Sequence, residues 1–415
     1  MAATPRARGC LSGRVLPARL LHAPLARASA LGVLVLLAAC SLPWVGLWSG
    51  NGYADTGLYG LYGHRLLQGQ LPYRDFYMEF PPGALPALAL PDLAHAHYIV
   101  AFHAFQFLCL ALGIVLVASI LVRLGKSGWR LYTAAALAGF APALLGPISL
   151  NAFDSWPALL TVAAIALGVS GHNTAAGSML GASAAAKLFG VLALPIMLVH
   201  AGRTGGRRAV LRTAGGFCVV SVIAWGPFAA IAPGGLGYSV KTQAQRGLQI
   251  ESLFGSALTV GHRLGVYEAH VTIGKPFSVD LAGSLAHALS IVSSIFVFVA
   301  VVTLWRRHFD GAPTMERLLT AVVGVVVAFM TFGRVFSPQY LLWLVPLVPL
   351  VEGIAAAVLF ALALGLTLIW ARFPEPFGEM TRLGPEDWAV LARNLTMIGL
   401  YVVLLRRLNS RASTT

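Results

Sequence analysis

Nine apolar runs, at 30–49, 98–122, 131–149, 155–170, 210–231, 284–304, 317–333, 353–371 and 388–405, constrain this chain more than any motif in it. An apolar stretch of roughly 18 or more residues is long enough to cross a bilayer as a helix. Inside lipid each backbone N–H and C=O must be paired within the protein, so such runs fold into a helical bundle. Charged residues make up 11% of the chain and mean hydropathy is +0.78. Soluble domains carry about 25% charged residues. The fold expected is therefore an all-α polytopic membrane protein. Of its four cysteines, Cys10 sits in a basic tail and Cys40, Cys109 and Cys218 sit in apolar runs, so no disulfide framework is readable.

Charge orders the spans. The N-terminal tail holds Arg6, Arg8, Arg14, Arg19 and Arg27 with no acid, which places it in the cytoplasm by the positive-inside rule. It is too long and too basic before the apolar run for a cleaved signal peptide, so 30–49 counts as a real span. Later basic clusters are Arg123/Lys126/Arg130, Arg203/Arg207/Arg208/Arg212, Arg306/Arg307/Arg317 and Arg406/Arg407/Arg411. All of them share the cytoplasmic side only if 175–200 crosses twice, turning near Lys187, and if the proline-rich 339–351 also crosses. That gives 12 spans with both termini inside, the short segments included, at the top of the about 10–12 helices expected of such a bundle. The cytoplasmic side then collects 18 of the 29 Lys and Arg, but only Asp310, Glu316 and Glu352 among the 15 acids. The net charge of +14 follows from topology and calls for no nucleic acid.

On this reading residues 1–29 are a basic cytoplasmic tail, 30–406 a transmembrane catalytic domain, and 407–415 a second cytoplasmic tail. The external segments are 50–97, 232–283 and 372–387, with short turns near 150–154, 187 and 334–338. The first two are too long for simple connectors. Leu58, Leu61, Tyr62 and Leu66 recur at helical spacing, as in a helix lying on the bilayer surface.

The first external segment gathers carboxylates. Asp55 follows the first span closely, where a fixed carboxylate could act as a base or simply cap a helix. In "GQLPYRDFYMEFPPGALP", prolines stiffen a loop that carries Tyr73, Arg74, Asp75 and Glu79. Arg74 and Asp75 could form a structural pair, and Tyr73, Phe76, Tyr77 and Phe80 could anchor at the interface.

The stretch "LYGHRLLQGQLPYRDFYMEFPPGALP" closely resembles the first-loop signature of glycosyltransferase family 87, polytopic enzymes of the GT-C superfamily. Further similar motifs follow in order: "AKLFGVLALP" at 186–195, "KTQAQRGLQIESL" at 241–253 and "RVFSPQYLLWLVPL" at 334–347. The resemblance implies a GT-C-type helical bundle with external interfacial helices. It also implies a sugar, mannose by expectation, moved from a polyprenyl-phosphate donor to a hydroxyl of a cell-envelope glycolipid or polysaccharide. The active site would face outward from the cytoplasmic membrane. Family enzymes of this kind place a catalytic acid shortly after the first helix, the position of Asp55 here. Phe80 stands where many members carry Tyr.

The chemistry asked of the chain is modest. A polyprenyl phosphate is a stable leaving group, so one carboxylate must deprotonate the acceptor hydroxyl during in-line attack. The transition state has oxocarbenium character, and cations must hold the phosphate as its charge develops. Lys187, Lys241, Arg246 and Arg334 are the external-side cations inside family-like motifs. Snorkelling, loop solvation and interfacial anchoring are their structural alternatives. Gln245, Gln249, Glu251, Gln339 and Tyr340 suit sugar hydroxyls. His262 could assist proton transfer or be structural.

Asp154, in "LNAFDSWP", reads as a helix N-cap. Asn394-Leu-Thr matches a glycosylation sequon inside a span and is discounted. No cofactor is assigned and no metal-ligand spacing is present. A divalent cation between Asp55 and Asp154 stays open. An arabinofuranosyl or other pentosyl transferase of the same superfamily is the main rival. A secondary transporter, which would place its ionisable groups at mid-membrane on broken helices, is the other.

Overall fold

The computed structural model describes residues 18–47, 55–274, 278–371 and 383–410. The chain is almost entirely helical. The first part holds α1 (Ala18–Cys40), α2 (Asp55–Leu67), the short α3 (Leu85–Ala89), α4 (Tyr98–Arg123), α5 (Gly128–Leu145), the short α6 (Ile148–Asn151), α7 (Ser155–Val169) and α8 (Asn173–Ala186). The second holds α9 (Gly190–Ile231), α10 (Pro233–Ala244), α11 (Leu253–Arg263), α12 (Ser284–Asp310), α13 (Met315–Phe332), α14 (Ile354–Ala371) and α15 (Asp387–Ser410). Among the described residues six helical segments are long and apolar enough to cross a membrane, and the shorter apolar helices Ser155–Val169, Pro338–Leu350 and Ile354–Ile369 pack with them. The chain is a multi-pass membrane protein.

Three sequence expectations need correction. The first span lies at His22–Cys40, earlier than 30–49. Pro43 cannot continue the helix, and residues 41–45 turn instead. The segment 339–351 is no α-helix. Pro338, Pro346 and Pro349 leave two 3-10 turns, Pro338–Leu344 and Val348–Leu350. Irregular backbone is tolerated at membrane depth only inside protein, and residues 341–351 are all buried. The third concerns 232–283, which adds to its helices a small antiparallel sheet of β1 (Leu248–Gln249), β2 (His270–Gly274) and β3 (Ser278–Ala282) in the order β1-β3-β2. The stretches "HVTIG" and "SVDLA" carry the β-branched residues that suit a pleated edge.

The doubtful stretch 175–200 is a helical hairpin. Helix α8 runs up to Lys187, whose extended backbone ends it, and α9 returns. Helix α9 then reverses at Gly206, where φ is 69° and a side chain would be strained. Its second half climbs beside α8: a Cβ on Gly177 would sit 2.0 Å from the Thr213 carbonyl oxygen, and one on Gly216 would sit 2.2 Å from that of Thr174. Small residues allow this backbone-to-backbone approach between membrane helices.

These reversals create two poles. At one, Lys126 pairs with Glu316 at 3.1 Å and with Glu352. There too Arg130 donates to the carbonyls of Pro349 and Val351 at 2.8 and 2.9 Å. Arg203 reaches the Gly311 carbonyl at 2.6 Å, and Arg317 reaches that of Leu408 at 2.7 Å. The basic clusters that sequence assigned to one side therefore meet in space. The opposite pole collects the start of α2, the loop 72–84, the turn at 151–154, Lys187 and the 334–340 segment.

Candidate active site

Asp55 opens α2, and the face that this helix buries is Thr56, Tyr59, Tyr62 and Gly63. The aromatic side of the helix therefore faces protein, and Leu61 remains 43% exposed. Thr56 donates weakly to Asn151 Oδ1 at 3.4 Å, and His103 Nε2 lies 2.8 Å from the same oxygen. This buried network fixes the first turn of α2 to the 148–154 turn. The Tyr59 hydroxyl donates to Asp55 Oδ2 at 3.4 Å, and Gln339 bonds the same carboxylate. Burial raises the pKa of Asp55. Lys187 opposes that rise and Asp154 adds to it.

Lys187 is the centre of the cluster. Its Nζ donates to Asp154 Oδ1 at 2.8 Å, with the lysine side chain 12% exposed and the aspartate fully enclosed. Four rings surround the ammonium, with Phe153 at 4.8 Å, Tyr340 at 5.0 Å, Trp343 at 5.7 Å and Phe80 at 6.0 Å. Such faces stabilise a cation electrostatically. Trp343 Nε1 donates to Asp154 Oδ1 at 2.7 Å. Its ring is stacked on Phe189 at 4.1 Å and on Tyr340 at 4.2 Å.

Glu79 joins from the first loop. Burial pushes its pKa up to about 7 and Asp55 reinforces this, while Arg246 and Lys187 oppose it. The loop is held in place locally. Tyr73 Oη donates to the Phe80 carbonyl at 2.5 Å, and Gly83 abuts the end of α8 so closely that a Cβ there would sit 2.5 Å from Ala185 C.

A second carboxylate, Glu251, follows β1. It is 2% exposed, and its Oε2 accepts from Gln249 Nε2 at 2.8 Å. Burial raises its pKa to about 7 against the pull of Arg393 and Arg246. Arg393 Nη2 and Asn394 Nδ2 both donate to the Glu251 carbonyl, at 2.6 and 3.1 Å. Asn394 is thus fully buried and committed, in agreement with discounting the sequon. Arg246 donates to Ser278 Oγ at 2.9 Å, and that hydroxyl donates to Asp280 Oδ1 at 2.6 Å.

The structure thus brings Asp55, Glu79, Lys187, Gln339 and Tyr340 together, with Arg246 and Glu251 beside them. It does not bring the other expected residues there. Asp75 is exposed, pairs with Arg74 at 2.8 Å and accepts from the Leu71 amide at 2.7 Å. That pairing holds its pKa down at about 2. Tyr73 is a core residue with φ of 67°, not an interfacial anchor. Lys241 and Gln245 are exposed at the end of α10. His262 accepts from the Ala269 amide through Nδ1 at 3.2 Å, which pins a turn. Arg334 donates to the Ala244 carbonyl and ties two loops together.

Sequence reasoning missed Asp154 and Trp343. Asp154 stands at the N-cap position of α7 but makes no capping bond. Its Oδ1 takes Lys187 and Trp343 instead. The signal was available: an apolar turn and an apolar hairpin, assigned to one side of the membrane, each carried one charge of opposite sign. Among the described residues no three His, Cys, Asp or Glu side chains converge as a metal site.

The fold and the site define the class no further than a polytopic membrane bundle with carboxylates and a lysine enclosed at one pole. The family model of Glycosyltransferase family 87 matches residues 77–338, well over half of the chain, and the protein belongs to that family. It is a membrane glycosyltransferase. A comparison with curated proteins gave no match.

Proposed function

We propose that the protein transfers a sugar, mannose by preference, from a polyprenyl-phosphate donor to a hydroxyl of a cell-envelope glycolipid or polysaccharide, with inversion. The observation that carries the reading is the meeting of Asp55, Glu79 and the caged Lys187 at one pole of the bundle. A lipid-linked donor needs its phosphate held at the membrane surface, and a lysine on the end of an apolar hairpin suits that place.

In this reading the acceptor hydroxyl gives its proton to Asp55 as its oxygen attacks the anomeric carbon from the face opposite the phosphate. The bond between that carbon and the phosphate oxygen breaks, and the polyprenyl phosphate leaves with the electron pair. Lys187, assisted by Arg246, meets the negative charge that develops on the leaving oxygen. Gln339 orients Asp55. Glu79 and Tyr340 border the sugar. The pole that holds the site faces outward from the cytoplasmic membrane, and both termini are cytoplasmic, since the arginine-rich loops gather at the other pole. The catalytic domain begins with the first span at His22, earlier than residue 30, and runs through α15.

The test is transfer from radiolabelled polyprenyl-phosphate-mannose in membranes carrying the wild type or Asp55→Asn. Wild-type product that disappears with Asp55→Asn supports both donor and base. No wild-type product with this donor, and product with a polyprenyl-phosphate pentose, would favour the pentosyl reading.

A further inference from the structure

We infer that Asp154 is a positioning residue that acts through Lys187. It fixes the ammonium where the donor phosphate binds. The inference rests on the reading of Lys187 as the phosphate-binding cation and adds the group that makes it one.

Three observations carry it. First, Lys187 is the residue that terminates α8, and its backbone is extended there, with φ −151° and ψ 132°. A four-carbon side chain on such a turn would otherwise sample many rotamers and extend toward water. Second, the lysine side chain is 12% exposed and its ammonium is ringed by Phe80, Phe153, Tyr340 and Trp343, an enclosure that strips water from it. Burying a charge is costly unless an opposite charge pairs with it. Asp154 Oδ1 supplies it at 2.8 Å. Third, Asp154 is itself located by the indole of Trp343, whose Nε1 donates to the same oxygen at 2.7 Å. Rings on both sides clamp that indole. The chain of constraint runs from the Phe189–Trp343–Tyr340 stack to Asp154, then to Lys187.

The turn that carries Asp154 also carries Asn151, which receives Thr56 of α2. One short segment therefore sets the base and the cation relative to each other. In-line displacement demands that registration, because a misplacement of about 1 Å costs on the order of 100-fold in rate.

The experiment compares donor KM and kcat, per folded enzyme in proteoliposomes, for the wild type, Asp154→Asn, Trp343→Phe, Lys187→Met and the Asp154→Asn/Lys187→Met double variant. The donor is polyprenyl-phosphate-mannose. Asp154→Asn keeps an oxygen for both donors and removes only the charge, so donor KM should rise about tenfold, worth about 1.4 kcal/mol. Trp343→Phe, which keeps the ring stack, should give a smaller rise in the same direction. The double variant should be no worse than Lys187→Met, because a residue acting only through another is non-additive with it. A purely structural Asp154 would lower the yield of folded protein and leave KM per enzyme unchanged. That result, a multiplicative double variant, or a tighter donor KM in Asp154→Asn overturns the inference. If the wild type transfers the sugar and Lys187→Met leaves donor KM unchanged, the phosphate reading of Lys187 itself fails. Absence of wild-type transfer removes the donor reading, and the inference with it.

Discussion

The ammonium of Lys187 and the carboxylate of Asp154 form an ion pair 2.8 Å long with the aspartate wholly shielded from solvent. Removing one partner of a buried pair leaves a lone charge and costs roughly 3–5 kcal/mol, whereas removing both is far cheaper. Lys187→Met should therefore lower the unfolding free energy of the purified protein in detergent by about 3 kcal/mol or more. The Lys187→Met/Asp154→Asn double variant should recover part of that loss. Chemical denaturation followed by circular dichroism measures both.

Asp55 makes Glu79 harder to ionise, and together with burial this raises the pKa of the Glu79 carboxyl to about 7. Asp55→Asn removes the nearby negative charge, which favours the ionised form of Glu79 and lowers its pKa. The Glu79 carboxyl should therefore lose its proton at lower pH in Asp55→Asn than in the wild type. Infrared difference spectra of the carboxyl band, assigned with Glu79→Gln, read the shift, and an unmoved titration separates Glu79 from Asp55.

Glu251 has a folded pKa raised to about 7 from 4.5, by burial. The unfolded chain has lost this proton by pH 6 and the folded chain still holds it. The stabilisation is full below about pH 4.5 and falls away as pH rises through 7. Glu251→Gln removes this dependence, so the wild-type Tm should decline relative to the variant across that window. Thermal unfolding of both proteins at pH 4.5, 6 and 7.5 tests it.

Gly83 joins the first loop to the Lys187 turn. A Cβ there would lie 2.5 Å from Ala185 C and 2.6 Å from Ala186 N, both backbone atoms that cannot move aside cheaply. Gly83→Ala should cost about 1–3 kcal/mol and loosen Glu79 from Lys187. Transfer activity should fall more steeply than the amount of folded protein, as judged by size-exclusion chromatography.

Leu188 is 58% exposed beside Lys187, and Arg207 is exposed at the opposite pole. In a cysteine-free background, Leu188→Cys should react with an impermeant thiol reagent added outside intact cells. Arg207→Cys should react only after permeabilisation. The reverse pattern would invert the proposed sidedness.

The sequence by itself determined the helical bundle, most of its apolar helices, the turn near Lys187 and the motifs that point to the family. Each of these rests on local signals: apolar length, arginine placement and loop composition. Spacing could also nominate Asp55, Glu79 and Lys187, because charges are rare in so apolar a chain. Only the tertiary structure decided which nominees meet. Asp75 sits four residues from Glu79 in the same motif, yet it turns outward to Arg74 while Glu79 turns toward Asp55. A loop stiffened by prolines takes its direction from what it packs against, here Ala185 and Gly235. Asp154 looked like a helix cap because its local sequence permits one. Lys187, 33 positions away, claims its carboxylate instead, since burying that ammonium without an anion is far costlier than leaving a helix end uncapped.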